Sequence, residues 1–396
     1  MNKKVMICGA GLGQVDAIIR AKALGFSAYV VDQNPNAIGV KYSDHFEAID
    51  IKDYEKCLDF AKRYKIDGIL TLQSDLAIPT VGYINDYLGL VGISNKTAMY
   101  CSNKTLMRDA FNSNGVSQPH FIKVGCLEAA LKACNQIGLP CVVKAPISSG
   151  SRGVIKLTNL DDLAYAFNEA MKYSNSEVGL IVEEFISGKE YGAQTFSIDG
   201  KCEIVLVHDD YISDPPYMIP IGHSLPSEMN SDVLLKAQVE IKKSVEALGI
   251  MNGPANVDFI IDKYNNVKII EIGARVGATC LPELIFHHTG YNWIDAAILS
   301  CLGLKIDFEF SKSDFVSAYI LTSPKDGIFL GYNESFTDVY KHNVLEFEVS
   351  VKVGDTVSTF KKGTDRIGKI VIKADSISSA NSIYSKILKL ITFNIK

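Results

Sequence analysis

The chain begins with short apolar runs alternating with stretches whose apolar residues recur every three or four positions. Lys4–Cys8 is a short apolar run closed by Gly9, as expected of a buried strand. Val15, Ile18, Ile19 and Ala23 then share one helical face, and Gly25 marks the stop. Ser27–Asp32 reads as the next strand, Tyr54–Tyr64 as a helix and Ile66–Thr71 as a further strand. Strands alternating with helices imply a parallel sheet covered on both faces, so residues 1–93 are predicted to form an α/β domain.

Residues 94–122 read as helical, ending near Gly115 and Pro119. A small αβ unit follows over 123–186: helix Leu127–Ile137, strand Cys141–Lys144, a glycine-serine loop, strand Val154–Leu157, helix Asp161–Tyr173 and strand Leu180–Glu184. Leu234, Ile241, Val245 and Leu248 mark an amphipathic helix that starts at Ser231 or Asp232 and leaves at Gly249. Ala255–Asp262 and Val267–Ile272 read as two strands joined through Tyr264-Asn265-Asn266. Residues 306–396 are strand-rich and close with a helix near Ser379–Leu390, so the expected class is α/β, in part α+β.

Composition narrows the function. At 396 residues the chain exceeds one ordinary core, and 47% hydrophobic residues with 12 prolines describe a globular protein of several domains. Forty basic and 45 acidic residues lie interspersed, which argues against nucleic acid or a membrane surface as partner. No apolar stretch approaches a membrane span, and the short run after Lys3-Lys4 leads into a glycine turn rather than a signal-peptide cleavage site. Nine cysteines without a CxxC pair predict neither a zinc site nor a disulfide framework, and fit a reducing cytoplasm.

Gly9-Ala10-Gly11-Leu12-Gly13-Gln14, with Asp32 ending the next strand, is similar to a dinucleotide fingerprint. Gln14 stands where the third glycine belongs, so the same tight strand-to-helix turn without a dinucleotide is the preferred reading. A nicotinamide-dependent oxidoreductase is the alternative from another class.

Five features between residues 100 and 280 carry the chemistry. Ser102-Asn103-Lys104 opens a helix, and Val142-Val143-Lys144-Ala145 is an apolar strand ending in a lysine, which needs an anion if it is buried. Ser148-Ser149-Gly150-Ser151-Arg152-Gly153 can fold its backbone N–H groups over phosphate, although no Walker A signature is present. Glu183-Glu184-Phe185-Ile186, with Glu190 beyond, ends a strand in acids and an aromatic and suits an adenine hinge. Asp258 and Glu271, on strands read as adjacent, would set two carboxylates side by side, a costly pairing unless a cation such as Mg²⁺ bridges them. Arg275 follows at a spacing that keeps it on the same face as Glu271.

In this order the features resemble the ATP-grasp superfamily, in the branch of biotin carboxylase, carbamoyl phosphate synthetase halves, glycinamide ligases and bacterial L-amino-acid ligases. The resemblance implies a Rossmann-like leading domain over 1–93, an ATP-grasp domain over 94–305 with a mobile lid at 123–186, and a β-rich trailing domain over 306–396. It assigns Lys104 and Lys144 to ATP phosphates and Ser149, Gly150, Ser151 and Gly153 to the lid loop. Glu183, Glu184, Phe185 and Ile186 fall at the adenine hinge and Glu190 at the ribose. Asp258 and Glu271 match the Mg²⁺ carboxylates, with Mn²⁺ as a substitute, and Arg275 joins Lys144 as a catalytic residue. Gly273 departs from the pattern, since many members carry asparagine there.

The implied function is an ATP-dependent carboxylate–amine ligase that forms an amide through an acyl phosphate and releases ADP and phosphate. Its partners are a small carboxylate and a small amine, and a homodimer is compatible. His223, read as a loop residue, Arg275, Gly277, Ser74 and Asp75 are the candidate substrate contacts, with Thr71 and Arg366 as further candidates. His287 and His288 read as helix residues rather than metal ligands. The rivals within the superfamily use bicarbonate or formate, and a non-catalytic nucleotide sensor is the other alternative.

Overall fold

The computed structural model describes residues 2–148, 150, 152–213 and 219–396, with side chains throughout these except at 337 and 338. In chain order the elements begin β1 Lys4–Cys8, α1 Val15–Ala23, β2 Ser27–Asp32, β3 His45–Ala48, α2 Tyr54–Tyr64, β4 Gly68–Leu70, α3 Ile78–Leu88, α4 Asn95–Ser102 and α5 Lys104–Ser113. Next come β5 Phe121–Val124, α6 Leu127–Ile137, β6 Cys141–Lys144, β7 Val154–Leu157, α7 Leu163–Met171, β8 Leu180–Glu184, β9 Gly188–Ile198, β10 Lys201–Ile212, β11 Pro220–Leu225 and α8 Ser231–Ala247. Then follow β12 Gly253–Asp262, β13 Val267–Gly273, α9 Leu281–Thr289, α10 Trp293–Cys301, β14 Val316–Thr322, β15 Gly327–Glu334 and α11 Thr337–Tyr340. The chain ends with β16 Val344–Val349, β17 Thr356–Val357, β18 Arg366–Lys373, α12 Ile377–Leu388 and β19 Ile391–Ile395.

By packing, residues 1–205, 231–276 and 294–306 make one compact unit, and 206–230, 277–293 and 307–396 make a second. The division does not follow the boundaries at 93 and 305 expected from sequence. β11 pairs with β14, and α9 packs on both, so two segments of the central region join the trailing one.

Three sheets build the first unit. The leading sheet is parallel with order β3-β2-β1-β4. The second, antiparallel β5-β8-β6-β7, is covered by α6 and α7 around its own apolar core, which includes Val143, Leu163, Phe167 and Val182. In the third, β12 lies between β9 and β13 in antiparallel register. In the second unit the last residues of β10 pair with β11, and β14, β18 and β16 follow in antiparallel order. There β19 pairs with β15, and Ile391 and Ile395 of β19 fill a core with Phe329, Ile370 and Ile387.

Two expectations need correcting. The strand read at Ile66–Thr71 shortens to β4, and the chain ends in a strand rather than in the helix at 379–390. The alternation Ile391, Phe393, Ile395 has strand period, but its short length hid it behind the helix. Among the described residues no helix is long and apolar enough to cross a membrane.

Gly68 shows how closely the first unit packs, since a Cβ there would stand 2.3 Å from the Cys301 carbonyl oxygen. Gly68→Ala is expected to cost about 1–3 kcal/mol, because backbone cannot step aside as a side chain can. Gly125→Ala, with nothing within 4 Å, should stay within about 0.5 kcal/mol of the parent. Thermal unfolding of both variants checks this.

Candidate active site

The strand lysine is buried, and its anion lies within the chain. Lys144 Nζ at the end of β6 is 2.5 Å from Glu183 Oε2 on the adjacent strand β8. Arg108, fully buried on α5, grips the same carboxylate, with Nε 2.8 Å from Oε1 and Nη2 3.2 Å from Oε2. Arg108 Nη2 also donates to the Ile270 carbonyl at 2.9 Å, while Nη1 has no partner. Lys104, one helical turn earlier, donates to Ser148 O at 2.6 Å and to Glu271 Oε1 at 2.8 Å.

A triad of Arg108, Lys144 and Glu183 and a pair of Lys104 and Glu271 result, in which three buried cations face only two carboxylates. Burial works against the Glu183 charge, but Arg108 and Lys144 outweigh it and hold the carboxyl down at about 2. Burial pushes the Lys144 ammonium below its usual value against the pull of Glu183, and Arg108 and Lys104 add to that push. Positive charge in excess at a dry site is costly until an anion arrives. A phosphate would supply that anion.

Arg108 escaped the sequence reading, although a signal exists. Lys104, Met107, Arg108 and Phe111 lie on the buried face of α5. A charge at a core position of an amphipathic helix implies a buried counter-ion. Glu183, expected at the adenine hinge through its backbone, has its side chain occupied as that counter-ion.

The glycine loop leaves β6 close by. Ala145 N donates to Gly153 O at 2.9 Å, and Gly150 and Gly153 take φ of +63° and +65°. Gly153 has no room for a side chain, since a Cβ would meet Tyr173 Cδ2 at 2.9 Å. Ser149 and Ser151 lie outside the described residues. Along the hinge, Glu184 N donates to His120 O and Phe185 N to Pro140 O, so those two N–H groups are spent within the chain. The Lys156 ammonium sits 3.8 Å from the Phe185 ring centroid, Ile186 is buried and Glu190 is exposed on β9.

Asp258 and Glu271 are direct register partners on β12 and β13. Lys104 steadies Glu271, and Asn256 Nδ2 donates to Asp258 Oδ1 at 2.9 Å. Two carboxylates on one face repel unless a cation joins them, and oxygen donors suit Mg²⁺, so this pair fits the ion. Arg275 projects beside them, its Nε 2.9 Å and Nη2 3.3 Å from the two oxygens of Asp75. Burial opposes its charge, while Asp75, Asp258 and Glu271 hold the guanidinium protonated beyond its usual range. Thr71 is less available, because its hydroxyl donates to Cys8 O at 3.0 Å; Ser74 is half-buried. A cavity of about 50 Å³ lined by Thr71, Asn85, Pro254, Arg275 and Ser300 has room for a few waters rather than a metabolite.

The leading glycine loop is filled from within. Gln14 lies over Gly9, 3.0 Å from where a Cβ would be, and donates from Nε2 to Leu72 O at 2.6 Å. Asp32 accepts from Ala10 N at 2.7 Å and Asn34 N at 2.8 Å, occupying the acid that a ribose would need.

In the second unit, His223 is not on a loop but buried on β11, and its Nδ1 is 2.6 Å from Asp210 Oδ1. His208 Nδ1 reaches the same oxygen at 2.8 Å, and the two imidazoles hold Asp210 well below the usual carboxylate range despite its burial. These three residues have the composition of a metal site. His208 Nε2, however, is buried without a partner, whereas a metal-bound imidazole donates its outer N–H. A hydrogen-bonded network accounts for the cluster. Gly277 is buried ahead of α9, where Thr279 and Cys280 take positive φ. His287 contacts Glu346 at 2.7 Å, His288 the Asp314 carbonyl at 2.5 Å, and Arg366 begins β18 half-buried.

Comparison with known proteins bears on the fold. A family model described as an ATP-grasp domain matches residues 137–283. The phosphoribosylglycinamide synthetase structure from Anaerococcus prevotii superposes with a TM-score of 0.85 at 27% identity, covering 100% of both chains. Residues 137–283 are an ATP-grasp domain by the family-model match. Its ATP-grasp relatives include the formate-dependent phosphoribosylglycinamide formyltransferase of Prochlorococcus marinus (strain NATL2A), 27% identical over 96% of this chain and 95% of the relative. The alanine–anticapsin ligase of Bacillus subtilis (strain 168) is 26% identical over 68% of this chain, which spans 60% of that ligase. The protein is an ATP-dependent ligase.

Glu183→Gln removes the charge that two buried cations share, and is expected to destabilise the protein by about 3–5 kcal/mol. Because Glu183 is held at about 2, its contribution is complete above the ordinary carboxyl pKa near 4.5 and is lost as pH falls from there towards 2. Denaturant titrations of parent and variant should therefore converge as the pH is lowered through this window.

Proposed function

We propose that the chain joins a small carboxylate to a small amine, activating the carboxylate as an acyl phosphate at the expense of ATP. The observation that carries this reading is the cationic cluster of Lys104, Arg108 and Lys144, tied through Lys104 to the carboxylate pair of Glu271 and Asp258. A triphosphate with Mg²⁺ matches both halves, anion against cations and cation against carboxylates.

In this mechanism Lys104 and Lys144 neutralise charge on the ATP oxygens. Asp258 and Glu271 would hold Mg²⁺, which supplies Lewis-acid stabilisation of the phosphates when bound. Arg275 orients the substrate carboxylate towards the γ-phosphorus. Attack of a carboxylate oxygen breaks the bond to the β–γ bridging oxygen and yields ADP and the acyl phosphate. The amine, as its free base, then attacks the carbonyl carbon, phosphate leaves with the proton the nitrogen gives up, and the amide remains. Asp75 keeps acceptor positions beyond those used by Arg275, so an ammonium can approach from its side. The self-contained core of the 123–186 sheet supports its role as a lid that excludes water. The leading 1–93 and trailing 306–396 segments are the other two functional parts.

A neighbour named phosphoribosylglycinamide synthetase and a relative named alanine–anticapsin ligase both favour an amine acceptor. A formate-using relative makes formate the second carboxylate to test. The experiment incubates the protein with Mg-ATP and paired carboxylates and amines and follows ADP. ADP formed only with a particular pair supports ligation, and turnover with formate alone supports the second reading. Lys144→Ala and Asp258→Asn should each lower the rate by at least roughly a hundredfold; near-parental rates in both would overturn the assignment.

A further inference from the structure

Gly273 stands between Glu271 and Arg275 in sequence, and its φ is not among the positive values. Backbone conformation therefore does not demand glycine here, but space does. A Cβ at 273 would lie 2.7 Å from Asp75 Oδ1. No other residue fits at 273 while Asp75 keeps its place.

Asp75 holds that place by gripping one edge of the Arg275 guanidinium, Nε and Nη2, with both of its oxygens. The remaining nitrogen, Nη1, makes only a 3.5 Å contact to the Val276 carbonyl. Asp258 and Glu271 also act on this guanidinium, so it stands among three carboxylates. Without Asp75, the opposite charges left to it are the pair that fits the cation, and a guanidinium on them would compete with Mg²⁺.

We propose that Asp75 is a positioning residue that holds Arg275 by its inner edge, turns Nη1 outward and keeps the guanidinium off Asp258 and Glu271. The missing side chain at Gly273 is the room this arrangement needs. The inference rests on the roles proposed above for Arg275, Asp258 and Glu271.

The test uses full-length protein and measures equilibrium binding of ATP as a function of Mg²⁺ concentration, without carboxylate or amine. Asp75→Asn and Gly273→Ala should each raise the Mg²⁺ needed for half-maximal binding roughly tenfold, and the double variant should do no worse than either alone. Asp75→Asn added to Arg275→Ala should change nothing further, which keeps the test decisive if Gly273→Ala fails to fold. Unchanged Mg²⁺ dependence in Asp75→Asn, or additive effects in either double variant, would overturn the proposal and leave the function standing. A parent protein that binds no ATP at any Mg²⁺ concentration would sink both.

Discussion

A fully buried carboxylate held between two buried cations organises this site. Glu183 joins β8 to β6 through Lys144 and to α5 through Arg108, whose second contact reaches the β13 backbone beside Glu271. One side chain thereby ties the small antiparallel sheet to the helix and the strand that carry the rest of the site. Charges so deeply buried contribute little net stability, because desolvation offsets most of their attraction. Their value lies in direction. They fix where each cation points, and the excess of positive over negative charge favours phosphate.

Linkage of this kind has a consequence for motion. If the 121–184 sheet closes as a lid, it does so about a joint that already contains a salt bridge. In the proposed mechanism Lys144 would meet the incoming anion while its partner Glu183, on the same sheet, is also held by Arg108 of α5, so phosphate binding would act on sheet position through that shared carboxylate. A neutral joint would carry no such coupling.

The leading sheet contributes differently. Its glycine turn is closed by Gln14 and Asp32, groups that in a dinucleotide site would be open. What it offers the site comes from the far end of β4, where Asp75 meets Arg275. An α/β sheet presents its functional loops at the carboxyl ends of its strands, and here the fourth strand's loop serves rather than the first's.

Most elements were legible from periodicity; Lys144, Asp258 and Glu271 stood out because a charge on an apolar strand needs a partner, Arg275 by its spacing from Glu271, and Lys104 through the order of the motifs. Sequence by itself determined the α/β class, the ATP-grasp order of the motifs and the identity of the charged residues, since these depend on local spacing. It did not show that the Glu183 side chain faces Lys144, that His223 is buried on a strand, or that Gly273 yields its space to Asp75. Those pairings join residues 39, 13 and 198 positions apart, and only the tertiary structure decided them. The physical reason is that a side chain's partner is set by strand register and helix packing, which no local pattern records.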